Sequence, residues 1–127
     1  MSTKAIKITY WILTSIFVLA MLADSMGGLT QQQAGQDALK HLGYPMYFLI
    51  IGGVAKLLGA LAILQTKFNA IKEWAYSGFV CTFIGASMSH YFVNDTIGMM
   101  IAPLIILAFT LLTYYFWKKY QSVTIQS

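Results

Sequence analysis

Long apolar stretches constrain this sequence more than any other feature. They predict four transmembrane α-helices, at about residues 5–24, 44–64, 74–93 and 97–117. The last three contain 21, 20 and 21 residues, and a helix needs about 20 to cross the hydrocarbon core of a bilayer. The apolar part of the first has only 16 residues, but the lysines before it can extend to the lipid headgroups. None of the stretches alternates polar and apolar residues, as membrane β-strands do.

The composition points to the same single-domain, all-α membrane protein. Charged residues make up 9% of the 127 residues, whereas about 25% is usual for a soluble domain. So few charges would not cover the surface of a soluble protein of this size, so we expect a lipid bilayer around it. The net charge of +4 comes from eight lysines without any arginine. Because arginine is the usual residue for forked phosphate recognition, nucleic acid is a poor candidate partner.

The lysines predict the orientation of the four-helix bundle. Six of them belong to the two termini and the loop between the second and third spans, and only Lys40 lies on the opposite side. The positive-inside rule then places both termini and that loop in the cytoplasm. All three tryptophans fall at the predicted cytoplasmic boundary, as interfacial aromatic residues do. We therefore expect a multi-pass protein of the bacterial inner membrane.

The loop after the first span contains the signals of a short amphipathic helix. The segment 30–33 has capping-box spacing, with the hydroxyl of Thr30 as the expected N-cap. Apolar residues follow at helical spacing, and Gly43 and Pro45 predict the end of the helix. We expect this helix to lie on the outer membrane surface; a plain polar loop is the alternative.

Small residues on the second and third spans suggest how the bundle packs. Membrane helices associate through close packing of small residues and through polar contacts. Gly52 and Gly59 are at helical spacing in the second span, and Gly78 and Gly85 are at the same spacing in the third. We expect these two helices to be central and to pack on each other through these faces.

Lys56 is the most informative polar residue. It is twelve residues after Tyr44, hence roughly 18 Å along the second span and near the middle of the membrane. A charge at this depth costs at least about 2.5–3.5 kcal/mol, so the side chain normally faces the bundle and finds a partner. Three outcomes stay open: an ion pair, a neutral lysine, or a side chain that extends to the interface without a role. We treat Lys56 as a candidate for ligand binding or catalysis.

Other polar candidates lie near the ends of the predicted spans. His90 and Asp24 fall at similar depth on the outer side, near Asp95, so we expect an Asp–His contact. Histidine titrates near neutral pH and suits proton transfer, but a structural hydrogen bond is the alternative. Glu73 suits the helix dipole at the start of the third span, and contact with Lys56 is a second choice. His41 is expected to be exposed, and the spacing predicts no metal site.

Pro103 lies inside the fourth span, where it removes one backbone hydrogen bond and leaves the carbonyl of Met99 free. A kink tolerated in the membrane is one interpretation. A local opening that lines a polar pocket is the other.

Several runs of residues, taken in order, resemble the DoxX-like family of four-helix membrane proteins over about residues 8–117. These runs are His41–Pro45, Gly53–Ala60, Lys72–Phe79, Ser89–His90 and Ala102–Leu104. The resemblance implies membrane location and a candidate polar core of Lys56, Glu73, His90 and Pro103. The family takes its name from a small subunit of a thiosulfate:quinone oxidoreductase, and animal relatives are linked to assembly of receptor subunits. This chain has a single cysteine, Cys81, which disfavours a thiol-redox role.

Three functions agree with these features. The first is a non-catalytic accessory or assembly subunit of a membrane complex, because the sequence contains no cofactor motif and no nucleophile–base pair. The second is a membrane subunit of a quinone-linked oxidoreductase, with Lys56 and His90 in an aromatic-rich bundle. The third is a small-solute carrier that acts as a homo-oligomer, since four helices alone enclose little space. No cofactor is evident, and quinone is the candidate.

Overall fold

The chain folds into helices joined by short connections. The computed structural model describes residues 2–65 and 67–126, apart from the side chains of 124–126. Within this part of the chain there are five helices and no strand. The helices are α1 (Thr3–Leu29), α2 (Gln33–Leu42), α3 (Phe48–Leu64), α4 (Asn69–Phe92) and α5 (Ile97–Gln126). The all-α prediction is confirmed.

Two of these helices are long and apolar enough to cross a membrane. They are Thr3–Leu29 and Ile97–Val123, and α3 is a shorter apolar helix of 17 residues. Both long helices extend beyond the predicted spans. α1 begins earlier than predicted because the hydroxyl of Ser2 caps its N-terminus, accepting a hydrogen bond from the amide of Ala5 at 3.1 Å. Large apolar side chains cover much of the outer surface, including Leu19, Leu58 and Ile105. Such a surface suits lipid better than water.

The four long helices form a ring. α1 packs against α3 and α5, and α4 packs against α5 and, less extensively, α3. The expectation that the second and third spans are central is therefore wrong, because each long helix has two principal neighbours. A cluster of buried aromatic side chains fills one end of the ring and its middle. It contains Tyr10, Phe17, Tyr76, Phe79 and Trp117.

Glycines do bring two helices close together, but on a different pair from the one predicted. A Cβ built on Gly28 of α1 would lie 2.9 Å from the carbonyl oxygen of Leu49, and one on Gly53 of α3 would lie 3.1 Å from the Ser25 carbonyl. The backbones of α1 and α3 therefore meet at Gly28 and Gly53. Small residues are needed there because any side chain would meet backbone atoms.

The four glycines predicted to pack α3 on α4 behave differently from one another. Gly59 does meet α4, since a Cβ there would lie 2.8 Å from the ring of Phe79. Gly52, Gly78 and Gly85 face open space, with no atom within 4 Å of a built Cβ. The packing role expected for these three is therefore wrong, because no neighbouring helix reaches them.

The short helix predicted in the first connection is present as α2. It ends at Gly43, which adopts a left-handed φ of 84°, as the stop signal indicates. The capping prediction is wrong, however. Gln32 occupies the N-cap position, and the Thr30 hydroxyl instead donates to the carbonyl of Met26 at the end of α1, at 2.7 Å. α1 continues to Leu29, which leaves Thr30 on its last turn.

Candidate functional site

A long groove runs along α3. Its volume is about 1050 Å³. α1, α2, α3 and α4 all contribute to its walls, which are mainly small or apolar residues, and we call it the α3 groove. The residues that define it include Ala23, Asp24, Gly27, Gly28, Gly35, Leu39, Gly52, Lys56, Gly59, Ala62, Trp74, Ala75, Gly78 and Thr82.

The groove exists because small side chains leave the space between the helices unfilled. Gly52 on α3 and Gly78 on α4 both line it, and a Cβ on either would meet nothing within 4 Å. Close contact between α3 and α4 occurs nearby, where Phe79 lies against Gly59. The small residues that predicted tight helix packing thus produce an opening of the size that small-molecule sites have.

An ion pair lies in the wall of the α3 groove. The Lys56 ammonium, in the middle of α3, donates to Oδ2 of Asp24 on α1. This is the first of the three outcomes considered for Lys56. The predicted depth of Asp24 places it near His90 on the outer side, but it contacts Lys56 instead. Its side chain is on α1, which packs directly against α3.

The ion pair is accessible from the groove. The side chains of Lys56 and Asp24 are 28% and 53% exposed. Lys56 donates a hydrogen bond to Oδ2 of Asp24. Among the described residues, none donates a hydrogen bond to the other carboxylate oxygen, Oδ1. Two of the three ammonium protons are also left over. The pair therefore presents both an acceptor and donors to a molecule in the groove.

One end of the groove is covered by α2, which a second polar cluster anchors. Asp95, in the turn between α4 and α5, accepts from His90 Nδ1 and His41 Nε2, each at 2.6 Å. These hydrogen bonds, that of His90 first, hold the pKa of the Asp95 carboxyl below its usual range. The expected Asp–His contact is present, and His41 is exposed as predicted but also hydrogen-bonds to Asp95.

A neighbouring hydrogen bond also holds this end of the molecule together. The Ser89 hydroxyl donates to the Gly85 carbonyl at 2.8 Å, so Tyr44 donates its own proton to Ser89, at 2.5 Å. Tyr44 precedes α3 and Ser89 belongs to α4. The two contacts together join α2 and the start of α3 to the end of α4.

Lys72 forms a buried cluster that sequence reasoning missed. The sequence predicts Lys72 as a cytoplasmic surface lysine, but it is 0% exposed and donates to the hydroxyl of Tyr10. Its ammonium lies 4.8 Å from the centroid of the Tyr10 ring and 5.2 Å from that of Trp117. Lysine beside aromatic residues at a membrane boundary can indicate such cation–π contacts. The cluster ties α4 to α1 and α5, away from the groove.

Glu73 and Pro103 also lie apart from the α3 groove. Glu73 pairs with Lys118 of α5, so the second-choice contact with Lys56 is wrong. α5 is continuous through the buried Pro103. The Ser87 hydroxyl of α4 donates to the Met100 carbonyl at 2.9 Å, one residue beyond the carbonyl that proline frees. Of the predicted polar candidates, only Lys56 and Asp24 share a site in the groove.

Among the described residues, no three His, Cys, Asp or Glu side chains lie close enough together to hold a metal ion. Cys81 is exposed on α4 and is the single cysteine of the chain.

Comparisons with known proteins identify a family. Residues 12–113 match the model of the DoxX-like family, which covers most of the chain. No curated protein and no solved structure matches the sequence.

Proposed function

This chain belongs to the DoxX-like family, and we propose that it is a four-span protein of the bacterial inner membrane that binds a lipophilic molecule in the α3 groove. We further propose that it does so as an accessory subunit of a membrane complex. Both termini would lie in the cytoplasm, with α2 on the opposite surface. The observation that carries the proposal is the accessible Asp24–Lys56 ion pair in the wall of a groove of about 1050 Å³.

Two properties of the groove support ligand binding. Its walls are mostly apolar, with a small number of polar groups, which is the usual composition of small-molecule sites. Its volume of about 1050 Å³ is just above the range of roughly 300–1,000 Å³ that such sites have. Polar groups that face a membrane groove are costly to maintain, so they generally serve a function. An apolar ligand with one polar group fits this combination.

The arrangement of the helices supports the proposed topology. α3 and α4 connect through residues 65–68, and α4 and α5 through 93–96, so neighbouring spans run antiparallel. With the N-terminus inside, four spans also place the C-terminus inside, next to Lys118 and Lys119. α2 then lies outside with Lys40, in agreement with the distribution of lysines.

Quinone is one candidate for the lipophilic molecule, and the residues present fit it. Lys56 would donate a hydrogen bond to a quinone carbonyl, and the apolar walls of the groove would surround the ring and its tail. A subunit of a quinone-linked oxidoreductase is therefore the second function that the groove supports. His90 would take no direct part in it, because its partner is Asp95.

Copurified ligand tests the binding proposal. The protein would be purified in mild detergent, extracted with organic solvent and examined by mass spectrometry. We expect a lipophilic molecule at constant stoichiometry in the wild type and its loss in Gly52→Leu, whose side chain would fill the groove. Gly85→Leu is the matched control, since it also faces open space but does not line the groove. Equal ligand content in all three proteins would contradict the proposal.

Cysteine labelling tests the topology. Ala38→Cys and Ser122→Cys would each be introduced into a Cys81→Ser background, because both positions are exposed. A membrane-impermeant maleimide should label Ala38→Cys in intact cells and Ser122→Cys only after lysis. Labelling of Ser122→Cys in intact cells would contradict the proposed orientation.

Affinity purification tests the accessory role. A tagged chain solubilised in mild detergent should recover one membrane protein in fixed ratio. Recovery of the chain alone across several mild detergents would argue against a role as a subunit.

A further inference from the structure

The Asp24–Lys56 ion pair also specifies what kind of polar group the ligand has. We infer that the α3 groove binds a neutral lipophilic molecule with a hydroxyl group, which donates to Asp24 Oδ1 and accepts from Lys56 Nζ. The inference rests on the proposed binding function and adds the chemical class of the ligand.

Both residues of the ion pair have unused hydrogen-bonding capacity. Asp24 is an acceptor only, and Lys56 is a donor only. Lys56 occupies Oδ2 of Asp24 and uses one of its own three protons in doing so. What remains is an acceptor on one residue and donors on the other, side by side on the groove wall. A hydroxyl group both donates and accepts, so one hydroxyl satisfies both residues.

The charges of the ion pair also restrict the charge of the ligand. Asp24 and Lys56 neutralise each other as a pair. A carboxylate or an ammonium group on the ligand would bring a third charge into an apolar groove, and among the described residues that line it no charged side chain other than Asp24 and Lys56 could balance that charge. An ether or a ketone is neutral but accepts only, which would leave Asp24 Oδ1 without a donor. The same holds for the carbonyl of an oxidised quinone, so of the two quinone forms the ion pair favours the quinol, which carries hydroxyl groups. An alcohol or a phenol avoids both costs.

The shape of the groove indicates where the tail of the ligand lies. The groove extends from Gly28 and Leu49 to Ala62 and Trp74, along most of α3. A helix of 17 residues is about 25 Å long, so the groove can hold an extended hydrocarbon tail as well as a head. Lys56 lies at the middle of α3, and only apolar or small residues line α3 between it and Leu64. The hydroxyl therefore lies near Asp24, with the tail directed towards Trp74.

Four probes with the same tail separate the head groups. They are hexadecanol, hexadecyl methyl ether, palmitate and hexadecylammonium, each carrying one photoactivatable group at the same place in the tail. Each would be photolysed with the purified wild-type protein in detergent, with Gly52→Leu and Gly85→Leu in parallel. The alcohol should label the wild type at about tenfold lower concentration than the ether, the effect expected for one hydrogen bond to a charged group. Palmitate and hexadecylammonium should both be weaker than the alcohol.

The outcomes distinguish this inference from the binding proposal. If Gly52→Leu abolishes labelling by all four probes and the probes label the wild type equally, the groove binds lipophiles but the hydroxyl assignment is wrong. Stronger labelling by palmitate or hexadecylammonium than by the alcohol also overturns it. If Gly52→Leu labels like the wild type with every probe, binding in the groove itself is wrong. Because the four probes are compared on unaltered protein, the head-group result does not depend on the folding of a variant.

Discussion

Ser25 of α1 donates a hydrogen bond to the backbone carbonyl of Gly53 of α3, at 2.7 Å, and Ser25 is wholly buried. A serine hydroxyl can reach that carbonyl because Gly53 has no side chain. The Gly53 Cα lies 3.4 Å from the position of a Cβ on Gly28. This contact fixes α1 against α3 one residue away from Asp24. It therefore sets the position of the ion pair in the groove.

The first prediction concerns two adjacent glycines. Gly53→Leu should destabilise the protein by more than about 3 kcal/mol, because its Cβ alone would lie 3.1 Å from backbone atoms of Leu29 and Ser25. Gly52→Leu adds the same side chain next to it but points into the groove, so stability should stay equal or rise by up to about 1 kcal/mol. Unfolding by titration with denaturing detergent measures both. Equal destabilisation would contradict the α1–α3 contact.

The second prediction is a double-mutant cycle on the ion pair. Asp24→Asn should cost about 2.5–3.5 kcal/mol, because it leaves the Lys56 charge without a partner within the membrane. The double variant Asp24→Asn/Lys56→Met should recover much of that loss, since the remaining groups carry no charge. Thermal or detergent unfolding gives the four free energies of unfolding.

The control for this cycle is the other lysine–carboxylate pair, Glu73 with Lys118. Their side chains are 38% and 42% exposed, so Glu73→Gln should cost less than about 1 kcal/mol. Equal costs for Asp24→Asn and Glu73→Gln would show that the Asp24–Lys56 pair does not lie in a membrane environment.

The third prediction concerns pH and the docking of α2. The pKa of Asp95 is lowered in the folded protein, chiefly by the hydrogen bond from His90 and then by that from His41. Asp95 therefore contributes stability at pH values above its ordinary pKa of 3.8, and this contribution is lost as the pH falls through the lowered value. Thermal midpoints measured from about pH 7 to about pH 3 should fall steeply below about pH 4 in the wild type.

Two variants separate this effect from general acid denaturation. Asp95→Asn should lose the extra slope in the acid range. Asp37→Asn makes the same change of charge on α2, where the exposed Asp37 accepts a hydrogen bond from Gln33, and should keep the slope. The same slope in Asp95→Asn as in the wild type would contradict a role for the Asp95 carboxylate in holding α2.

The comparison of sequence with structure shows which features local patterns reveal. α2 and its end at Gly43 follow from turn chemistry and helical spacing, so the sequence predicts them. An apolar stretch long enough for a span likewise predicts the position of α1 and α5. These patterns depend on residues that are close in sequence or on composition. They can therefore be recognised without knowing which helix is the packing partner.

Contacts between helices could not be predicted in the same way. Small residues indicate that something can approach closely, but not which helix does so: Gly53 meets α1, whereas Gly52, the residue before it, faces the groove. Depth in the membrane likewise failed to pair the charges. Asp24 was placed with His90, while the packing of α1 on α3 brings it to Lys56. Lys72 is buried because the rings of Tyr10 and Trp117, distant in sequence, surround it.

Mapping where a bound lipophile contacts the chain tests the central claim most directly. Two hexadecanol probes would be used, one with the photoactivatable group beside the hydroxyl and one with it at the end of the tail, and the adducts located by peptide mass spectrometry. The α3 groove predicts head adducts around Asp24, Gly27 and Lys56, and tail adducts around Ile71 and Trp74. Adducts from both probes spread over the exposed side chains of α5, such as Ile105 and Leu111, would contradict it.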